Sequence, residues 1–235
     1  MSILYCGDIH SNAKAVAKID SYCNENNIST VVQVGDFGIH FNKDHNPLLD
    51  FFEKREHGPL WISCGGNHDN WPVWQAAPPS NNALNDSPLS NLKHLAPGCL
   101  FAERGSLTYI DNKLHLFFGC AESSDRHVRT EGIDWWREES PSWNECQKFG
   151  IAYDEAKPEI VITHDCPWSV KIYHDPNPST TRDTLEQVWK HIDHKPKLWY
   201  FGHHHLLQEW EIQNTKFRCC GIEGHFWFDD QKNKV

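Results

Sequence analysis

Along this chain of 235 residues, a series of short strings carries residue types that hold metal ions. In order they are Gly7-Asp8-Ile9-His10, Gly35-Asp36, Gly66-Asn67-His68-Asp69, Thr163-His164 and Gly202-His203-His204-His205. Their carboxylates, carboxamide and imidazoles form a nitrogen and oxygen donor set without thiolate. Such a set suits Mn, Fe, Zn or Co, with Mn favoured here, rather than copper(I) or an iron–sulfur cluster. The donors suffice for two divalent ions about 3.5–4 Å apart, the spacing at which two-metal enzymes cleave phosphate esters. Two cations so close repel each other, so a carboxylate shared between them is needed. Asp8 and Asp36 would still leave the cluster net positive and attractive to a phosphate anion.

Those strings fall at the ends of short apolar runs. Ile3–Cys6, Thr30–Val34 and Leu60–Ser63 read as buried strands, each followed by glycine and a ligand-type residue. Between them, Ser11 is positioned to cap a helix over Ala13–Asn24, and Leu48–Glu56 reads as a second helix. This βαβαβ order implies a parallel sheet with right-handed crossovers, whose site lies at the strand C-terminal edge. Residues 76–99, rich in Pro, Ser and Asn, read as a long surface loop. Leu107–Ile110 and Leu114–Gly119 read as a hairpin, and Glu159–Thr163 and Leu198–Phe201 as further buried strands. Leu207–Ile212, Phe217–Cys219 and Phe226–Phe228 read as antiparallel strands. No repeat or linker interrupts the chain, which favours one domain over 1–235 with a charged, aromatic insertion at about 122–147.

Each string alone is weak evidence, because Gly-Asp pairs also mark turns and a lone histidine is usually a surface or core residue. The ordered set is specific. GDIH, GDFG, GGNHD, THD and GHHH together resemble the calcineurin-like metallophosphoesterase superfamily, from residue 3 to about residue 225. The resemblance implies an α/β fold: a four-layer αββα sandwich of two mixed sheets flanked by helices, with a dinuclear metal site at its edge. It also implies ligand roles. Asp8, His10 and His205 would bind one ion, Asn67, His164 and His203 the other, and Asp36 would bridge them. A bridging hydroxide would attack phosphorus in line. His68 would then protonate the leaving oxygen, with Asp69 orienting it; a purely structural His68 and a helix-capping Asp69 are the bland readings. His204 would point away from its neighbours, and Asp165 reads as a turn or supporting group.

Departures from the pattern narrow the substrate. Protein phosphatases of this superfamily read GDxVDRG and RGNHE; here Gly35-Asp36-Phe37-Gly38-Ile39-His40 lacks the Asp-Arg pair and Gly66 replaces the Arg before Asn67, which argues against a dedicated Ser/Thr protein phosphatase. His40 could replace part of that function, or sit on a loop surface. In the insertion, Arg126 and Arg129 could fork onto phosphate oxygens, and Trp135 and Trp136 could stack a flat group. Alternatively the arginines pair with Glu122, Glu131 or Glu138, and the tryptophans form a small core.

A formal net charge of −10 opposes binding to long nucleic acid. The nine cysteines are irregularly spaced, which suits reduced thiols in the cytoplasm. No apolar run long enough for a membrane span and no signal peptide is evident. The expectation is a cytoplasmic hydrolase of a small phosphorylated substrate, a nucleotide among the candidates, whether monoester, diester or dinucleotide polyphosphate. A nuclease of the same superfamily and a non-catalytic scaffold on the same fold are the alternatives. Oligomeric state is not legible.

Overall fold

The computed structural model describes residues 2–41, 46–80, 92–172 and 178–235. Strands β1 (Ile3–Cys6), β2 (Thr30–Gln33) and β3 (Leu60–Ser63) are parallel neighbours in one sheet, linked by α1 (Ala13–Glu25) and α2 (Pro47–Lys54). Their burial is nearly complete, as parallel strands covered on both faces require. The side chains alternate strictly. Leu4, Cys6, Val31 and Trp61 face α1 and α2, whereas Ile3, Tyr5, Val32 and Ile62 face the other way. A one-residue slip would exchange the two sets.

The second face meets a second sheet. Strands β6 (Ser106–Ile110), β7 (Lys113–Phe118), β8 (Ile160–Thr163) and β9 (Leu198–Phe201) supply Ile110, Phe117, Ile160, Ile162 and Tyr200 to this shared core. Tyr5 and Tyr200 stack across it at 3.8 Å between ring centroids. On the outer face, Phe118, Val161, Trp199 and Phe201 pack against α4 (Trp143–Ala156) and α5 (Thr180–His191) through Phe149, Tyr153, Leu185 and Trp189. The result is helix, sheet, sheet, helix.

The tail completes both sheets. Strands β10 (Gln208–Ile212) and β11 (Thr215–Cys219) form an antiparallel pair, and β11 joins β9 in parallel. Strands β12 (His225–Phe228) and β13 (Gln231–Lys234) close the first sheet beside β1. With β4 (Leu92–Ala96) and β5 (Cys99–Ala102), the orders are β13-β12-β1-β2-β3-β5-β4 and β10-β11-β9-β8-β7-β6. Both are mixed, as the resemblance implied.

Some sequence expectations need correction. The loop expected over residues 76–99 contains β4 and the start of β5; residues 81–91 lie outside the described residues. Pro97-Gly98 turns β4 back onto β5, with Gly98 at φ +68°, and β5 runs parallel to β3. The cap of α1 is Asn12, whose side chain accepts from the Ala15 amide; Ser11 instead donates to the Gly38 carbonyl. A short helix, α3 (Trp71–Ala76), follows the third motif. The insertion yields to regular structure at α4, which opens on a reciprocal Ser142–Glu145 capping box. Trp136 is buried and packs edge-on to Phe41 at 5.3 Å, so its face is not free to stack a substrate.

The insertion is bolted to the sheet edge by Arg104. Its guanidinium donates to the carbonyls of Gly119, Glu138 and Glu139, pairs with Glu145 at 3.0 Å and lies over the Trp71 ring. Among the described residues no helix is long and apolar enough to cross a membrane.

Candidate metal centre

Strands β1, β2, β3, β8 and β9 all end at one edge, and each delivers part of the cluster just beyond its last residue. Asp8, His10, Asp36, His203 and His205 have φ between +46° and +64°. That left-handed region is sparsely used by residues other than glycine, though Asp and His tolerate it best. Strained backbone gathered at one rim marks a site whose surroundings over-determine it. The loops brace one another: the Asp8 amide donates to the Gly35 carbonyl and the His10 amide to the Asp36 carbonyl.

The side chains form two groups that meet at Asp36. Asp8, His10 and His205 bring ligand atoms within 4.8 Å of one another. In the other group, Asn67 Oδ1 lies 2.9 Å from His203 Nδ1 and 3.2 Å from His164 Nε2. Asp36 reaches both, with Oδ1 3.2 Å from His164 Nε2 and Oδ2 3.7 Å from His10 Nε2. His164 donates through Nδ1 to the Val34 carbonyl at 2.8 Å, which leaves Nε2 turned to the cluster. Backbone amides of His203 and His68 donate to Asp8 Oδ1 and Asp36 Oδ1.

Whether cations fit can be judged from the protein itself. Asp8 is fully buried and its Oδ2 has no hydrogen-bond partner among the described residues. An orphaned carboxylate oxygen in such a place is costly, and a divalent ion is the partner it lacks. Glycine keeps the space open. A Cβ on Gly66 would overlap Asp36 Oδ1 and stand 2.7 Å from His164 Nε2, and one on Gly202 would stand 2.5 Å from Asp8 Oδ2. The donors and the space both suit two divalent ions.

Burial and charge set the protonation. Burial, with Asp36 adding to it, raises the Asp8 carboxyl well above the ordinary range. Burial also opposes ionisation of Asp36, yet the facing His164 holds it far below the usual carboxylate value. His164 is disfavoured as a cation by burial, but Asp36 and Asp8 raise it to about 10. Without metal, then, His164 and Asp36 form a buried ion pair, and a cation must displace the histidine proton to bind. Burial lowers His203 to about 4, which keeps that imidazole neutral.

The remaining candidates fall in different places. His68 lies beside the cluster, its ring 4.9 Å from that of His10 and edge-on to it. Asp69 does not orient it. The Asp69 carboxylate accepts from the backbone amides of Phe37, Gly38 and Gly66, and so ties the second and third loops together. Successive side chains diverge, which is why neighbourhood in sequence misleads here. His40 Nε2 bonds the Leu95 carbonyl, and no contact with the cluster is present among the described residues. Arg126 lines a polar cavity beside the centre, whose walls also include Ser123 and Asp165. His204 turns away to Asp165 Oδ1 at 3.0 Å, and Asp165 also faces Arg182 and accepts from the Cys166 amide.

Sequence reading missed one contribution from the insertion. Glu139, buried, accepts from the amide and hydroxyl of Ser123, and Asn67 Nδ2 approaches Ser123 Oγ at 3.3 Å. This relay fixes the carboxamide so that Oδ1, not nitrogen, faces the histidines. No motif signals it, since Ser123 and Glu139 meet Asn67 only through the fold. Ser123→Ala is expected to lower metal affinity about 10–100-fold, the usual cost of losing an outer partner of a ligand, as read by competition with a chelating dye. Arg129, a phosphate-contact candidate in the sequence, lays its guanidinium against the His68 imidazole.

Fold, loops and donor set agree with the family match. The family model for calcineurin-like phosphoesterases matches residues 1–207, and the chain belongs to that family. A search of curated proteins found no match. Similar solved structures include TT1561 of Thermus thermophilus, at 15% identity and a TM-score of 0.57, covering 99% of this chain and 98% of that one. A putative 5'-nucleotidase from Staphylococcus aureus, solved with alpha-ketoglutarate, has 13% identity and a TM-score of 0.53, covering 100% of this chain and 52% of its own. GAP50 of Plasmodium, described as the anchor in the inner membrane complex, has 12% identity and a TM-score of 0.51, covering 99% and 75%. At these identities the likeness is one of fold.

Proposed function

We propose that this protein is a metal-dependent phosphoesterase that hydrolyses a small phosphorylated molecule, one catalytic domain whose insertion forms a wall of the site. The observation that carries the reading is the pair of donor groups joined by Asp36, with Asp8 Oδ2 buried beside Gly202 and without a hydrogen-bond partner among the described residues. Asp8, His10 and His205 would hold one ion, Asn67, His164 and His203 the other, and Asp36 would touch both. Two divalent ions, with Mn favoured, would supply neutralising charge to the phosphoryl oxygens and acidify water.

The protein's own groups would do the rest. The Val34 carbonyl and the Ser123–Glu139 relay hold His164 and Asn67 in their orientations. His68 stands beside the ligand groups and would give its proton to the leaving oxygen. Burial and Arg129 lower its pKa while Asp36 raises it.

A cavity of about 430 Å³ adjoins the centre through Ser123 and Asp165. Among the described residues its walls include Ser124, Arg126, Ser179 and Thr180 and no aromatic ring. This favours a small leaving group rich in hydrogen-bonding atoms over one recognised by stacking. Its size is ordinary for a small-molecule site. A nuclease reading finds no support in a chain of net charge −10. A scaffold reading has a structural parallel in the Plasmodium anchor protein, but the full donor set with His68 beside it favours an enzyme. The cysteines are all free, which suits the reducing cytoplasm.

The test is hydrolysis of p-nitrophenyl phosphate and of its bis ester with Mn²⁺, with and without chelator. Turnover of either that vanishes on chelation is expected; flat traces on both, with no metal retained, would leave the scaffold. Metal at about 100 times its Kd is worth about 2.7 kcal/mol of stability. For a chain of this length that raises Tm by about 5–10 °C over the chelated protein, a shift scanning calorimetry can read.

A further inference from the structure

We propose that Arg129 is the phosphate anchor of this site, a guanidinium that the insertion presents to the oxygens of the bound phosphoryl group. The inference rests on the phosphoesterase reading and deepens it. It supplies what the loops around Asp36 and Asn67 lack, since no arginine stands in either string.

Arg129 follows a run of exposed residues, Arg126 to Val128, yet its own side chain is only 11% exposed. Asp125 grips one edge of it, Nε to Oδ1 at 2.7 Å and Nη2 to Oδ2 at 2.9 Å, and Nη1 also reaches the Asp134 carbonyl at 3.3 Å. The plane of the guanidinium is thereby fixed, and its opposite side is aimed at the centre. There Nη1 lies 3.2 Å from His68 Nδ1 and Nη2 lies 3.0 Å from His68 Nε2.

That contact is chemically incomplete. A guanidinium carries donors only, and a neutral imidazole has one acceptor nitrogen and one N–H. One of the two approaches therefore sets an N–H against an N–H, and protonating His68 would remove the remaining acceptor. Two oxygens of a phosphoryl group would satisfy both donors at once, in the forked geometry that arginine offers and lysine does not. The Asp125 carboxylate is half exposed, so it orients Arg129 without cancelling its charge in a dry interior. Of the other arginines, Arg104 is committed to the insertion, Arg182 to the carbonyls of Cys166, Pro167 and Val170, and Arg218 to Glu209 and Asp230, whereas Arg126 lines the adjoining cavity.

The experiment measures binding of inorganic phosphate to the Mn²⁺-loaded protein by calorimetry, with metal content and Tm recorded for each variant. Arg129→Ala is expected to weaken phosphate about ten- to a hundredfold, the range for a lost charge-assisted hydrogen bond. Arg129→Lys should recover only part of that affinity, with both metals retained in each variant. Wild-type affinity in Arg129→Ala would overturn the proposal. Should the alanine variant lose metal or fold, Arg129→Lys decides: weakened phosphate with full metal supports the anchor, and wild-type affinity overturns it. Loaded wild-type protein that binds no phosphate at all would overturn the phosphoesterase reading, and the anchor with it.

Discussion

Asp36→Asn is expected to empty the centre. The variant should retain far less than the wild-type metal after dialysis, and its turnover of p-nitrophenyl phosphate should fall at least about a thousandfold. Asp36 oxygens approach histidines of both donor groups, His164 at 3.2 Å and His10 at 3.7 Å. An amide is nearly isosteric, so the loop is preserved, but it removes one of the two buried negative charges that offset the cations. Losing a buried charge from its pair costs about 3–5 kcal/mol, or about two to three and a half powers of ten in affinity. Both ions feel the loss because both would share the group. The chelator-sensitive part of Tm should vanish as well, which separates an empty centre from a merely slow one. Full metal content by mass spectrometry of the native variant would show that Asp36 does not join the two groups.

The rim of this site was legible for a physical reason. Fully buried parallel strands are short unbroken apolar runs, and Ile3–Cys6, Leu60–Ser63 and Leu198–Phe201 stop where glycine and a ligand-type residue begin. Reading the ends of those runs locates the edge where Asp8, Asn67 and His203 meet. The hairpin of β4 and β5 was hidden because Lys93 and His94 break its apolar pattern and a run of Pro, Ser and Asn precedes it. Helix α4 did carry a signal, the Ser142-Trp143-Asn144-Glu145 capping box, masked by the tryptophans and charges around it. Left-handed backbone at His203 or Asp8 leaves no mark when the residue is not glycine.

The insertion is where sequence reading reached least. Asp125 and Arg129 stand four apart, the spacing of an exposed helix pair, and nothing local distinguishes a guanidinium stapled to a surface from one held over a reacting group. Ser123 and Glu139 are likewise ordinary in sequence and become part of the centre only by touching Asn67. Such contacts arise between elements far apart in the chain, so residue type and spacing cannot report them. The same limit explains Asp69, adjacent to His68 in sequence, whose carboxylate is engaged instead by three backbone amides.

For His68→Ala the expected result is a selective loss of rate. An alkyl phosphate should turn over about 10²–10⁴ times more slowly, the usual contribution of a positioned general acid. p-Nitrophenyl phosphate should lose far less, because its phenolate leaves without needing a proton. Metal content should stay at the wild-type value. That last measurement matters because His68, His10 and Asp36 also bring ligand atoms within 4.8 Å of one another, so a ligand role is geometrically open to this imidazole. The two roles part cleanly. A ligand's removal slows every substrate alike and releases metal, whereas an acid's removal sorts substrates by the basicity of the leaving oxygen and leaves the ions in place. A steeper dependence of rate on leaving-group pKa in the variant, at unchanged metal content, identifies the acid; equal slopes with metal lost would make His68 a ligand and move the search for the proton donor to another group.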